Sequence, residues 1–149
     1  MLDPSTAFSL AGLLAMAGWA GLLLALFWRP ARPIAWTAAQ IVVPAILAVA
    51  YILLIREGLG AVEGGGFGSI EKVRILFADD SALAAGWLHY LAFDLFVGGW
   101  IARDGVERRI PGLLLVPCLA LTFLFGPAGL LLFLVLRLAF RRATLSENQ

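Results

Sequence analysis

Charged and polar side chains fall along this chain in short clusters, and the intervals between the clusters are almost wholly apolar. The first interval, Ala7 to Trp28, carries no charge over about twenty residues. At 1.5 Å per residue that is enough to cross a hydrocarbon layer of roughly 30 Å. It predicts a first membrane span over 7–28. Arg29, Pro30, Arg32 and Pro33 end it, because proline cannot continue the hydrogen-bond ladder and arginine can reach the headgroups. A second span follows over 34–55, with Trp28 and Trp36 as interfacial aromatics and Pro44 expected to bend it.

The longest polar connection runs from Arg56 to Asp80. Its glycine-rich stretch, Gly58 to Gly68, lacks the Lys-Ser/Thr signature of a phosphate loop and reads as a flexible loop. Within it, Ile70, Val73, Leu76 and Phe77 recur at helical spacing between charges, the pattern of a short interfacial helix. Asp79, Asp80 and Ser81 are candidate N-caps for a third span over 82–102. A charged turn is expected at Arg103 to Arg109, around Asp104 and Gly105. A fourth span is read over 110–136, interrupted at Pro117 and at Gly126-Pro127-Ala128-Gly129. Arg137, Arg141 and Arg142 close it, ahead of a short polar tail. The expectation is one all-α transmembrane domain over 1–149: a polytopic bundle of about four helices, with a short interfacial helix before the third.

Composition agrees with that pattern. Of the 149 residues 62% are hydrophobic and only 14% charged, far from the mix that a water-soluble core can bury. The mean hydropathy is +0.94. With a formal net charge of +1 and basic residues scattered at span ends, a nucleic-acid partner is excluded; the partner is the lipid bilayer. Cys118 stands alone, so no internal disulfide forms, and a buried inert thiol is the reading. Sidedness stays open. Asp3 before the first span and Arg29 with Arg32 after it point one way, and the arginines after the fourth span point the other.

Chemistry concentrates in the third span. An ionised carboxylate at mid-membrane costs about 2.5–3.5 kcal/mol on insertion scales, so Asp94 is protonated, paired or turned to a polar cavity; an interhelical hydrogen bond is the bland alternative. His89, five residues earlier, projects roughly 140° away around the helix and about 7.5 Å along it. The two face different walls of one cavity, or one faces a ligand and the other a neighbouring helix. A single histidine with no carboxylate one turn away does not make a zinc site, and no nucleophile elbow or Ser-His-Asp order is present, so neither a metal nor a cofactor is expected. Tyr51, Trp87, Tyr90, Trp100 and Phe125 are candidate ligand-binding aromatics, suited to a long conjugated or isoprenoid molecule held by apolar walls.

The run Trp87-Leu88-His89, then Asp94-Leu95-Phe96, Asp104-Gly105 and Phe125-Gly126-Pro127-Ala128-Gly129, extended by Pro44 and Tyr51, resembles the abscisic-acid-deficient, neoxanthin-synthase-like family of small membrane proteins. The resemblance implies a four-helix membrane protein linked to conversion of an epoxy-carotenoid, violaxanthin, into the allenic neoxanthin. His89 and Asp94 would then supply the acid and base, in either assignment. The chain departs from the plant members in showing no plastid transit peptide, which points to a bacterial inner membrane. Set against an isoprenoid or carotenoid isomerase is a non-catalytic lipid- or pigment-binding subunit that stabilises a partner. Self-association of the bundle is compatible with both, and a transporter is disfavoured by the scarcity of polar residues in the second and fourth spans.

Overall fold

A computed structural model describes residues 2–146, with side chains to residue 140. The side chains of Arg141 and Arg142 and the end of the polar tail lie outside the described residues. All regular structure within them is helical: α1 (Pro4–Phe27), a 3-10 turn (Arg29–Ala31), α2 (Arg32–Thr37), a π-helical turn (Ala38–Val42), α3 (Val43–Gly58), α4 (Ile70–Leu76), α5 (Asp80–Glu107), α6 (Gly112–Phe125) and α7 (Pro127–Ser146). Three helical stretches are long and apolar enough to cross a membrane, Pro4–Phe27, Arg29–Gly58 and Asp80–Glu107, while α6 and α7 each offer a shorter apolar run. This is an all-α membrane protein.

The chain divides into two compact units, Met1–Met16 with Val43–Phe93, and Ala17–Val42 with Asp94–Gln149. In the first, α1 opens on Asp3, whose carboxylate accepts the Thr6 amide at 2.8 Å. The Thr6 hydroxyl and amide together hold that carboxyl below its ordinary value. Pro4 takes the first helical position, where its missing N–H costs nothing. The expected interfacial helix is α4, with Ser69 as N-cap accepting from the Lys72 amide at 3.3 Å and Leu76 buried. Of the three candidate caps for α5, Asp79 serves: its carboxylate accepts from the Ala82 amide at 2.9 Å. Gly58 meets Ala82 so closely that a β carbon would stand 2.6 Å from the Ala82 nitrogen, which joins the end of α3 to the start of α5.

In the second unit, Arg32 turns back rather than outward. Its Nε donates to the Ala25 carbonyl at 3.0 Å, satisfying a carbonyl that the end of α1 leaves without an intrahelical donor. The bend expected at Pro44 takes the form of the π-helical turn Ala38–Val42 just before it. A proline at 44 cannot donate to the Gln40 carbonyl, and the ladder widens instead of breaking.

The region around Asp104 and Gly105 corrects the expected charged turn: α5 continues through it to Glu107. The pairs Arg103–Glu107 (3.0 Å) and Arg108–Asp104 (2.6 Å) stand at i,i+4 spacing and support the extra turn. Termination comes at Arg109, at φ +59. Its amide donates to the Val106 carbonyl and that of Ile110 to Gly105, the paired bonds of a Schellman motif, with Pro111 following.

The interruption expected in the fourth apolar segment is a reversal. Gly129 of α7 packs onto the backbone of α6, where a β carbon would run into the Thr122 amide and the Cys118 carbonyl. On a continuous helix residues 118 and 129 would stand about 16 Å apart. Along α5, Gly105 faces Leu115 and Asp94 faces Gly126, so α6 runs antiparallel to α5. Trp100 then packs edge-on against Phe133 at 5.3 Å, and Asp104 pairs with Arg137 at 3.1 Å, so α7 runs back alongside α5 in the same direction. At 14 residues, or about 21 Å, α6 is too short to cross a 30 Å layer. The turn of this hairpin lies beside Asp94 of α5, and Gly126 within it is buried.

Candidate functional site

His89 lies one turn before Phe93 on α5 and stacks on its ring, centroids 4.6 Å apart and planes 29° from parallel. From α3, the Tyr51 ring approaches the imidazole at 5.8 Å. Leu47 and Ile52 of α3 and Ala92 of α5 complete a cleft of about 250 Å³ around these rings. The imidazole is exposed. The cleft is an apolar recess walled by the rings of Tyr51, His89 and Phe93.

Asp94 has other surroundings. Its Oδ1 stands 2.8 Å from where a β carbon on Gly126 would be, at the turn between α6 and α7. Asp94 is not among the residues lining the His89 cleft.

The five aromatic candidates separate. Tyr51 joins His89. Trp87 stacks on Phe8 at 5.5 Å and on Tyr90 at 5.4 Å, a group of its own in the first unit. In the second unit Trp100 packs against Phe133, with the Arg137 guanidinium 5.5 Å over its ring. Phe125, at the end of α6, points outward and is 63% exposed. Phe93, at i,i+4 spacing from His89, is a further wall of the cleft. Nothing local to Gly126 announces its approach to Asp94. Asp79 is committed to capping α5.

Helix, cleft and buried turn together define an integral membrane protein with ionisable side chains held inside a span. The chain belongs to the ABA4-like family: the family profile described as ABA DEFICIENT 4-like matches residues 6–133. At that level it is a membrane protein of the neoxanthin-synthase type. No curated protein and no solved structure matches it.

Proposed function

We propose that this protein is a membrane isomerase acting on an epoxy-carotenoid or related isoprenoid, with His89 as the group that exchanges a proton with the ligand and Asp94 or Tyr51 as its counterpart. The observation that carries the reading is the apolar cleft in which the imidazole stands between Tyr51 and Phe93. At about 250 Å³ it takes one end group of a long isoprenoid, leaving the remaining chain among lipid tails.

Forming an allene from an epoxide is an isomerisation with no net gain or loss of protons. A base removes the proton from the polyene carbon, the electron pair forms the new double bond, the C–O bond breaks, and an acid protonates the released oxygen. A neutral imidazole suits the first task. Either the Tyr51 phenol, across the same cleft, or a protonated Asp94 suits the second. Residence in a bacterial inner membrane and self-association belong to the same proposal.

The test is turnover by protein reconstituted in vesicles with violaxanthin, read by pigment chromatography. His89→Gln should abolish product. Comparing Tyr51→Phe with Asp94→Asn identifies the donor, as the one whose loss removes turnover while pigment binding persists. Undiminished product from His89→Gln sinks the assignment. The rival reading, a pigment-binding subunit without chemistry, draws on the packing of Asp94 against the hairpin turn. It is favoured if the wild type binds pigment stoichiometrically and leaves it unchanged.

A further inference from the structure

A second cleft, of about 410 Å³, lies between the first turns of α1 and α5, apart from the His89 recess. Its floor is apolar and aromatic: Phe8 stacked on Trp87, with Leu83 beside them. Phe8, Leu83 and Trp87 are 47%, 53% and 42% exposed, so the floor is open to a ligand. Its polar edge is formed by Ser5, Ser9 and Asp80. The cleft thus sets a polar edge beside an apolar aromatic floor, the profile of an amphiphile at a membrane interface.

The charge at that edge selects the head group. Two helix N-termini would ordinarily attract an anion, but each already carries a carboxylate cap from the chain itself. Asp3 takes the Thr6 amide and Asp79 takes the Ala82 amide. The Ser9 hydroxyl spends its hydrogen on the Ser5 carbonyl at 3.0 Å, leaving its oxygen as an acceptor. Asp80 enters none of the ion pairs among the described residues. The edge therefore presents acceptors and negative charge, the complement of a donor-rich cation. A primary ammonium offers three N–H donors on one charged centre and fits this edge better than a phosphate does.

We infer that this cleft binds a phospholipid with a primary ammonium head group, the ammonium at Asp80, Ser5 and Ser9 and an acyl chain along Phe8, Leu83 and Trp87. The site is independent of the proposed isomerase chemistry and stands or falls without it.

The experiment is native mass spectrometry of protein equilibrated with mixed phosphatidylethanolamine, phosphatidylcholine and phosphatidylglycerol. The wild type should retain phosphatidylethanolamine at least fivefold over either competitor. Asp80→Asn should abolish that preference and Asp80→Glu should restore it. Leu83→Trp, which fills the floor, should reduce retention of all three lipids. Circular dichroism on each variant confirms that the helices are intact. Equal retention of the three lipids by the wild type, a preference for phosphatidylglycerol, or an unchanged preference in Asp80→Asn would overturn the assignment.

Discussion

The carboxylate of Asp94 occupies the space that a side chain on Gly126 would need, 2.8 Å from the position of the absent β carbon. Gly126 also sits at φ +47, a backbone region that other residues enter at a cost of about 1–3 kcal/mol. Two penalties therefore meet in Gly126→Ala, one conformational and one steric. Thermal unfolding in detergent should show Gly126→Ala clearly less stable than the wild type. In the Asp94→Ala background the substitution should cost less, because the steric part is gone, yet still cost something, because the φ penalty persists. A double-mutant cycle with no coupling would mean that the two residues do not touch.

Asp104 holds two arginines, Arg108 at 2.6 Å and Arg137 at 3.1 Å, and its side chain is only 15% exposed. The neighbouring Arg103–Glu107 pair has the same i,i+4 spacing, but its side chains are more than half exposed. Solvent screens the second pair and leaves it worth less than about 0.5 kcal/mol. Asp104→Ala, which also removes the ion pair between α5 and α7, should cost about 1.5–3 kcal/mol by the loss of charged hydrogen bonds. Equal destabilisation by Asp104→Ala and Glu107→Ala in a chemical denaturation series would refute the distinction.

The Schellman motif that ends α5 places Arg109 where glycine is the natural residue. A β carbon in that conformation costs about 1–2 kcal/mol. Arg109→Gly should therefore raise the unfolding midpoint while the Ile110-to-Gly105 bond is kept, and Arg109→Val should lower it. If Arg109→Gly lowers it instead, the side chain makes a contribution larger than the strain.

Much of the architecture was legible from where charges interrupt apolar runs. The first three spans read from sequence fall inside the observed helices Pro4–Phe27, Arg29–Gly58 and Asp80–Glu107, apart from Trp28 at a boundary. The ends were less legible. Asp104 and Gly105 look like a turn in sequence, and only the i,i+4 pairing of Arg103 with Glu107 and Asp104 with Arg108 shows why the helix continues. His89 and Asp94 were visible as ionisable groups in an apolar run. Their separate surroundings, Tyr51 for one and Gly126 for the other, depend on contacts across more than thirty residues that no local pattern encodes. The conflicting charge signals for sidedness had the same origin: a glycine-proline break reads alike whether the chain bends or turns back.

That last distinction has a measurable consequence. If 110–136 crossed the membrane as a fourth span, Arg137 would emerge on the side of Asp3, opposite Arg29 and Arg32. With the reversal at Gly126 it returns to Asp104, near the end of α5, where Arg103, Arg108 and Arg109 also lie. Three crossings then gather Arg29, Arg32, Arg103, Arg108, Arg109 and Arg137 on one side, against Arg56, Lys72 and Arg74 on the other. Cytoplasmic segments carry the excess of basic residues, so the arginine-rich side should be cytoplasmic and the N-terminus external. Fusing a reporter that fluoresces only in the cytoplasm to the C-terminus should give signal, and fusing to the same end a phosphatase that is active only outside should give none. An N-terminal tag should be accessible to a membrane-impermeant reagent in intact cells. Finding both termini on the same side would mean that α6 and α7 together cross the bilayer, and the hairpin beside Asp94 would have to be abandoned.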